Sequence, residues 1–411
     1  MPASQKDMNI LYFTAEQWPT FRADILALFG KYLPRYGITT DLVTEHDLAS
    51  SATEQIPWPG GQSILCHVPQ NRAGQYVIKF LHNLKILVSI NARHYDAIQV
   101  RDMTLTALFG LIVARLKGLP FIYWLSYPQS EGQIERAKKR GFKAGMRYWY
   151  PLMQGLFGKF LLYKIVLPRA DHVFVQSQQM LLDLASVGIA LSKMTPVPMG
   201  VDIEAADKAA INFAKDARIE GKRVVVYLGT LDPTRKIELL FKMLAIAKQE
   251  IPNLILLLVG DTEDPLHREW LKNEAKRLGV EDLVLWTGWL PSAEAWAYVK
   301  AAEVGLSPFP RGFLLDSASP TKAIEYMALG LPVIANDNPD QAQVIQESGG
   351  GICVAHNAEA FADALVKLLK APGQCKKMGE LGKAYVSQVR NYNNLASQLC
   401  SRYMQLLGAK P

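Results

Sequence analysis

The stretch from Asp316 to Ala335 holds the residues whose types and spacing are best suited to chemistry. Ser319 can cap a helix with its hydroxyl, and Pro320 fits the first helical position. Gly330 suits a left-handed exit from the helix, and Pro332 prevents the helix from continuing. The sequence therefore predicts a helix of about ten residues that follows a loop of small residues.

Two side chains of this predicted helix could bind a phosphorylated ligand. Lys322 and Glu325 are three residues apart, so they share one face of the helix. The lysine can neutralise a diphosphate, which would also accept hydrogen bonds from free N–H groups at the helix N-terminus. The glutamate can accept two hydrogen bonds from vicinal hydroxyls such as those of a ribose. The alternative is an ordinary capped helix that carries a surface ion pair.

Short apolar strands alternate with helix-like segments in both halves of the chain, which predicts parallel sheets. The fold class is therefore α/β, with two Rossmann-like, doubly wound domains that face each other across a ligand cleft. The predicted strands are Ile10–Phe13, Thr40–Val43, Ala97–Val100, Phe121–Trp124 and His172–Val175, then Arg223–Leu228, Leu254–Val259, Leu283–Trp286, Val304–Leu306, Pro332–Ile334 and Ile352–Val354.

Two prolines and a glycine between Pro196 and Asp202 prevent a helix and mark a domain boundary. We expect an N-terminal domain over residues 1–200 and a C-terminal domain over residues 201–385. A final helix over residues 386–411 is expected to pack back toward the N-terminal domain. The length of 411 residues and the mass of 45.8 kDa agree with two domains.

The composition is that of a globular chain, with 49% hydrophobic and 20% charged residues. The longest apolar stretch, Thr106 to Leu125, is interrupted by Arg115 and Lys117, so no membrane-spanning helix is expected. The first residues lack the pattern of a secretion signal, and we expect a cytoplasmic protein. The formal charge of +7 suits a partner with phosphates or an anionic membrane surface. A solvated surplus of lysine explains the charge equally well.

The sequence lacks the motifs of several other enzyme classes. No GxGxxG follows the first strand, and neither GxxxxGK[ST] nor GxSxG occurs. The seven histidines are scattered, and Cys66, Cys353, Cys375 and Cys400 show no CxxC spacing. NAD-linked redox chemistry, P-loop phosphoryl transfer, acyl transfer and metal binding therefore lose support. We expect no metal, no cofactor and no disulfide, and we expect the cysteines to be small buried residues.

The residues from Glu325 to Ile334, EYMALGLPVI, resemble the nucleotide-sugar-binding segment of the family 4 glycosyltransferases, which are retaining enzymes with the GT-B fold. In that family, two glutamates eight residues apart lead into the pattern G-x-P-V-I. The resemblance implies that Glu325 holds the ribose. The position of the first glutamate is occupied by Ser317, with Asp316 beside it, so the contact to the donor sugar departs from the family pattern.

Three further stretches resemble the same family in the same order. The residues after Tyr227, LGTLDPTRK, resemble the first loop of the nucleotide domain, and Arg235 falls at the position of a phosphate-binding lysine. Residues 171–177 and 198–202 resemble the end of the first domain and the hinge, and residues 285–290 resemble the loop that faces the base. The implied site residues are Arg235, Lys322 and Asp316 for catalysis, and Glu325, Thr321, Ser319, Ser317, Gly229, Gly288 and Trp289 for substrate binding.

The resemblance implies transfer of a hexosyl group from a nucleotide diphosphate sugar to a glycan or a lipid-linked glycan, in the assembly of surface polysaccharide or another glycoconjugate. No metal and no nucleic-acid partner are expected. A non-catalytic GT-B protein that binds nucleotide sugar or a partner is the alternative, and a GT-B sugar epimerase is a third hypothesis. Where many relatives carry a histidine near the acceptor, this chain reads Ser126-Tyr127-Pro128, so no acceptor-side base is predicted.

A basic and aromatic insertion over residues 131–167 is a second functional segment. Its basic residues Arg136, Arg140, Lys143 and Arg147 recur at helical spacing and predict one basic face. On another side the apolar residues Phe142, Met146, Trp149, Met153 and Leu156 recur, with Tyr148 and Tyr150 nearby. This pattern predicts an anchor on an anionic membrane surface, so the protein could be peripheral on the inner face of a membrane. The alternative is a helical pair that packs against its own domain.

Overall fold

The computed structural model describes residues 7–20, 22–46, 57–67, 72–209 and 216–408. The chain divides into two compact units, of which one comprises Met1–Pro198 with Tyr392–Pro411 and the other Met199–Asn391. The first boundary thus lies at residue 198 rather than at residue 200. Each unit is an α/β fold built on a parallel sheet, as the alternation of strands and helices predicts.

The first unit contains a seven-stranded parallel sheet in the order β3-β2-β1-β4-β5-β6-β7. Its strands are β1 Met8–Phe13, β2 Ile38–Glu45, β3 Ser63–Cys66, β4 Ala97–Arg101, β5 Phe121–Leu125, β6 His172–Val175 and β7 Met194–Pro196. Its helices are α1 Arg72–Ser89, α2 Thr104–Lys117, α3 Gln129–Arg140, α4 Met146–Phe160, α5 Leu167–Arg169 and α6 Gln178–Ser186, with π-helical segments at Asp24–Tyr32 and Leu161–Val166.

Both faces of this sheet are buried, which explains why β1, β5 and β6 consist mainly of apolar residues. Successive residues point to opposite faces: Leu11 and Phe13 lie in one core, whereas Ile10 and Tyr12 lie in the other. The strand β1 pairs with β2 on one side and with β4 on the other. The direction of winding therefore reverses between β1 and β4, and such a switch point is where open α/β sheets bind ligands.

The second unit repeats this plan with six parallel strands in the order β10-β9-β8-β11-β12-β13. Its switch point lies between β8 and β11. Its strands are β8 Arg223–Leu228, β9 Leu254–Val259, β10 Val284–Trp286, β11 Val304–Ser307, β12 Val333–Asn336 and β13 Gly351–Val354. Its helices are α7 Ile203–Ala209, α8 Glu238–Ala247, α9 Pro265–Arg277, α10 Ser292–Lys300, α11 Phe313–Asp316, α12 Lys322–Ala328, α13 Pro339–Ser348, α14 Ala358–Leu369 and α15 Pro372–Gln388.

The last helix, α16 Tyr392–Leu407, belongs to the core of the first unit, where Tyr403 is fully buried. The predicted start of this helix at residue 386 is wrong, because α15 extends to Gln388. Three residues separate α15 from α16. Residues 409–411 lie outside the described residues.

All eleven predicted strands are present, and the sequence missed β3 and β7. Both are short, and β7 ends at Pro196, one of the residues that the sequence assigned to a linker.

The four cysteines are free thiols. Cys66 and Cys400 are buried, but Cys375 is half-buried and Cys353 is exposed, so the expectation of four buried cysteines is wrong. Within the described ranges, no helix combines the length and the apolar character needed to cross a bilayer.

Candidate functional site

The helix α12 is fixed over the switch point of the second unit by Tyr326. Its phenol oxygen accepts a hydrogen bond from the N–H of Leu228 at 2.7 Å and donates one to the carbonyl of Leu306 at 3.2 Å. It therefore joins the ends of β8 and β11. The ring packs so tightly on Gly305 that a Cβ there would lie 2.4 Å from it. Only glycine at position 305 allows this approach.

Lys322 lies on α12 directly beside the loop that follows β8. A Cβ built on Gly229 would lie 2.9 Å from the Cε and 3.2 Å from the Nζ of Lys322. The Nζ is also 5.2 Å from the centre of the Tyr227 ring, which is a cation–π distance. Gly229 has a φ of +132°, so the loop needs glycine here for its backbone as well as for space. The predicted residues Gly229 and Lys322 are thus brought together.

Lys322 is half-buried, and its charge is poorly solvated. Burial is the main cause that lowers the pKa of its ammonium group from 10.5 to about 8, and the nearby positive charge of Arg235 lowers it further. Two cations that repel each other in a half-buried site are a natural receptor for a polyanion, since a bound diphosphate would neutralise both.

Arg235 belongs to a short turn, Pro233–Arg235, that the sequence places after Gly229. Its guanidinium lies over the ring of Phe309, with 5.4 Å between the Cζ and the ring centre. The Nε atom is buried and has no hydrogen-bond partner among the described residues. The next residue, Lys236, is one of two described non-glycine residues with a positive φ, at +50°. Backbone strain of this kind is concentrated at functional sites.

Glu325 is held one turn along α12 from Lys322. It accepts hydrogen bonds from the Thr321 side chain and from the side chain of Trp296 on α10. Burial raises the pKa of the Glu325 carboxyl, while these two groups and Lys322 oppose that rise. The sequence predicted Thr321 and Glu325 in the site but missed Trp296, whose position on a separate helix gives no local signal.

Ser319 does not cap α12, so this prediction is wrong. The helix begins at Lys322, not at Pro320, and it has seven residues rather than about ten. The Ser319 hydroxyl instead donates to Asp340 Oδ2 at 2.7 Å and accepts the N–H of Met199 at 3.0 Å. So short a helix has a weak dipole, and the positive charge of the site therefore comes mainly from side chains.

Ser317 and Asp316 are both committed to local contacts. Ser317 is buried, and its hydroxyl donates to the carbonyl of Phe313 at 3.0 Å. Asp316 forms a two-point ion pair with Arg311, at 2.8 and 3.2 Å, and Arg311 also contacts Asp337 at 2.6 Å. These contacts shape the loop before α12. The ion pair with Arg311 gives Asp316 a structural role, and its catalytic role stays a prediction.

Gly288 and Trp289 follow β10, which lies on the side of β8 opposite to β11 in the sheet. Gly288 has a φ of +74° and forms a bridge with Gly260, which itself packs on Gly229. These contacts join the loops after β8, β9 and β10 at one edge of the sheet. Trp289 is 55% exposed, so its indole is available to a flat ligand.

A second polar cluster, which the sequence missed, lies at the switch point of the first unit. Asp102 follows β4 directly, has a φ of +53° and is buried. Its Oδ1 accepts the N–H of Ser126 at 2.9 Å, and its Oδ2 is hydrogen-bonded to the Ser126 hydroxyl. Burial raises the pKa of the Asp102 carboxyl, although Arg101 and Ser126 counteract this effect.

Two arginines and two further carboxylates complete this cluster. The fully buried Arg101 contacts Asp24 at 2.6 Å. Arg22 contacts Asp24 and Glu16 at 2.9 Å each, and its Nη2 donates to Ser126 Oγ at 3.2 Å. Arg22 and Glu16 keep about a third of their side chains exposed, at 31% and 35%. The cluster therefore has a buried inner part, with Arg101 and Asp24, and a solvent-exposed rim, with Arg22 and Glu16.

In the parts of the chain that the structure describes, no group of three or more histidine, cysteine, aspartate or glutamate side chains is arranged for a metal ion. The positive charges that face the two switch points belong to arginine and lysine side chains.

Most of the second unit is similar to a known protein family. Residues 209–385 match the model of the family described as "Glycosyl transferases group 1". A D-inositol 3-phosphate glycosyltransferase of Segniliparus rotundus is 29% identical over 202 residues, which are 48% of this chain and 43% of that protein. A GDP-mannose-dependent alpha-(1-6)-phosphatidylinositol monomannoside mannosyltransferase of Mycobacterium tuberculosis is 28% identical over 209 residues. These are 49% of this chain and 54% of that protein. The chain spans about half the length of these curated relatives.

The fold of the whole chain is similar to that of a solved sucrose-phosphate synthase from Thermosynechococcus elongatus. The TM-score is 0.74 at 19% identity, and the match covers 98% of this chain and 100% of the other. The two Rossmann-like units, with sheets of seven and six parallel strands, thus form a GT-B fold, as predicted.

Proposed function

We propose that the protein is a retaining glycosyltransferase of family 4 that takes a hexosyl group from a nucleotide diphosphate sugar. The observation that carries this proposal is Lys322 beside Gly229, with the positive charge of Arg235 close to Lys322 and Glu325 one helical turn away. Two cations suit a diphosphate, and a carboxylate at that spacing suits the hydroxyls of a ribose. The match of residues 209–385 to a glycosyltransferase family supports the same reaction.

In this proposal Lys322 and Arg235 stabilise the leaving group. The bond between the anomeric carbon and the diphosphate oxygen breaks as the acceptor oxygen bonds to that carbon, and the departing diphosphate takes the acceptor proton. Negative charge grows on the diphosphate during this step, so fixed cations lower the barrier more than they strengthen ground-state binding. The reaction is proposed to need no metal and no cofactor, because the two side chains supply the positive charge.

The Asp102 and Ser126 pair is proposed to orient the acceptor hydroxyl in the first unit. Ser126 begins the stretch Ser126-Tyr127-Pro128, where many family 4 relatives carry a histidine. Its hydroxyl donates to the buried carboxylate of Asp102, a residue whose backbone has a strained positive φ. Arg22 and Glu16 at the rim offer donors and acceptors for further hydroxyl groups.

A glycan or a lipid-linked glycan is the proposed acceptor, in surface polysaccharide or glycoconjugate assembly. The name of the matched mycobacterial mannosyltransferase specifies a glycosylated phosphatidylinositol, which supports a lipid-linked class. A protein that acts on such an acceptor is proposed to work at the inner face of a membrane from the cytoplasm.

The test is turnover of UDP-, GDP- and ADP-sugars, with and without a panel of glycoside and lipid-linked acceptors. We expect one donor to be used, and we expect Arg235→Ala and Lys322→Ala each to lower kcat by about two orders of magnitude. Asp102→Asn keeps the size of the side chain and tolerates a positive φ, so it should spare donor hydrolysis and lower transfer. Near-normal turnover in both alanine variants would refute the role of the cations.

A non-catalytic GT-B protein is the second candidate, and one observation favours it. Ser317 replaces the first glutamate of the family motif, and its hydroxyl donates to the carbonyl of Phe313 in α11. A protein of this kind would bind a nucleoside diphosphate yet release no free sugar and transfer none. An epimerase would instead convert the donor sugar to its epimer, which the same assay detects by chromatography of the released sugar.

A further inference from the structure

Residues 131–167 form a hairpin of two helices rather than one continuous helix. The helix α3 ends at Arg140, and α4 begins at Met146. Gly141 and Gly145 flank the turn between them, with φ values of +74° and +58°. The single basic face predicted for Arg136, Arg140, Lys143 and Arg147 is therefore wrong, since these residues lie on α3, on the turn and on α4. All four remain exposed.

The helix α4 packs on α3 through its small residues. A Cβ on Gly155 would lie 2.7 Å from both Ser130 O and Ile134 Cγ1, and a Cβ on Gly158 would lie 2.8 Å from Ser130 Oγ. Of the α4 residues, only Pro151 and Gly155 are buried. The glycines allow the two helices of the hairpin to approach closely.

Those large side chains point away from the protein. Six of them recur every three or four residues, with Trp149 and Tyr150 adjacent. They occupy one helix face and are each between 52% and 73% exposed. We call them the α4 stripe: Met146, Trp149, Tyr150, Met153, Phe157 and Phe160. An ordinary surface helix buries its apolar face, whereas α4 exposes it. A contiguous exposed apolar patch of this kind marks an interaction surface.

The charge around the stripe selects its partner. Residues 131–167 contain eight lysines and arginines and two glutamates, a surplus of six out of the net charge of +7 for the whole chain. The two glutamates are themselves paired, Glu135 with Lys139 at 2.6 Å and Glu131 with Lys159 at 3.4 Å. A second copy of the chain would bring the same positive surplus into contact and would be repelled. An anionic lipid surface attracts it.

We infer that the α4 stripe enters the boundary between headgroups and acyl chains of an anionic bilayer, with the basic residues of the hairpin on the lipid phosphates. Tryptophan and tyrosine are suited to that depth because their rings are apolar and their N–H or O–H groups can remain hydrated. Phenylalanine and methionine extend further inward. This binding goes beyond the proposed glycosyl transfer and does not depend on it.

The experiment is sedimentation of the full chain with vesicles of equal parts phosphatidylglycerol and phosphatidylcholine at low salt. We expect the wild type to sediment with these vesicles and not with pure phosphatidylcholine. Trp149→Ser, Phe157→Ser and Phe160→Ser combined should weaken vesicle affinity by at least about tenfold. Replacing Arg136, Arg140, Lys143 and Arg147 together by glutamine should weaken the vesicle affinity and reduce its salt dependence.

Matched controls carry similar changes on the surface of the second unit. Leu266→Ser with Trp270→Ser removes exposed apolar residues there, and Lys272, Lys276, Lys376 and Lys377 replaced by glutamine removes four exposed charges. Both controls should bind as the wild type does, and thermal melting should show every variant to be folded. Failure of the wild type to sediment, or equal sedimentation of the stripe variant, would overturn the inference. So would a dimer in the ultracentrifuge that the stripe variant abolishes.

Discussion

Lys322 is a residue whose environment favours binding at the expense of stability. Burial and the neighbouring charge of Arg235 lower the pKa of its ammonium group to about 8, against 10.5 in an unfolded chain. The unfolded chain therefore binds this proton more tightly, so protonated Lys322 destabilises the folded protein below that pKa, and stability increases as the pH rises from about 8 to about 10.5. A bound anionic ligand offsets this destabilisation, because it pairs with the charge of Lys322.

We expect the affinity for UDP or GDP to fall as the pH rises through about 8, because the neutral amine no longer attracts a diphosphate. The diphosphate itself is fully ionised over that range, since a terminal phosphate has a pKa of about 6. Lys322→Arg should remove the pH dependence, because arginine stays charged. Calorimetric titration between about pH 7 and pH 9.5 measures this effect.

Lys322→Met should raise the free energy of unfolding at neutral pH, because it removes a poorly solvated charge. The expected gain is about 1 kcal/mol, which allows for the partial exposure of the lysine. Denaturant unfolding of the free protein checks this, and a lower stability would contradict our account of the lowered pKa.

At the scale of elements, a buried polar network ties α13 and the end of α15 to the loop before α12. Asp340 contacts Arg390 at 2.6 Å, and both side chains are nearly fully buried. Asp340 also accepts the Ser319 hydroxyl, and Arg390 Nη1 donates to the carbonyl of Met199 at 3.4 Å. The network thereby fixes both ends of the second unit next to the loop that leads to Lys322.

Removing one partner of this pair should cost far more than removing both. Arg390→Met leaves the Asp340 carboxylate buried without its cation and should destabilise the protein by about 3 to 5 kcal/mol. Adding Asp340→Leu should recover much of that loss, because an apolar pair needs no partner. A double-mutant cycle by denaturant unfolding measures the coupling. Additive losses in the double variant would show that the two charges act independently.

The sequence predicted the eleven main strands and the α/β class because strands buried on both faces are rich in apolar residues. It failed where a residue has a distant partner. Serine is a common helix cap, yet the Ser319 hydroxyl donates to Asp340 and accepts the N–H of Met199. Trp296 and Asp102 reach their sites through tertiary packing, which a local pattern does not encode.

At the scale of the molecule, the proposed donor residues belong to one continuous stretch of chain. Gly229, Arg235, Lys322 and Glu325 all lie within Met199–Asn391, which has its own sheet and its own hydrophobic core. The first unit is built differently, since it recruits α16 from the far end of the chain. In α16, the Tyr403 hydroxyl donates to Gln99 Oε1 at 2.5 Å and its ring packs on Phe174.

We therefore expect a fragment of residues 199–391 to fold alone and to bind UDP or GDP as tightly as the full chain does. A fragment of residues 1–198 should fail to unfold cooperatively, because without α16 the buried ring of Phe174 and the side chain of Gln99 lose their cover. Glu325→Gln in the 199–391 fragment should weaken nucleotide binding at least tenfold, since it removes charge-assisted hydrogen bonds of about 1.5 to 3 kcal/mol. Glu294→Gln, at an exposed position of α10, is the matched control. Thermal unfolding and calorimetric titration of both fragments measure these effects, and a folded 199–391 fragment that binds neither nucleotide would show that the second unit is not sufficient for donor binding.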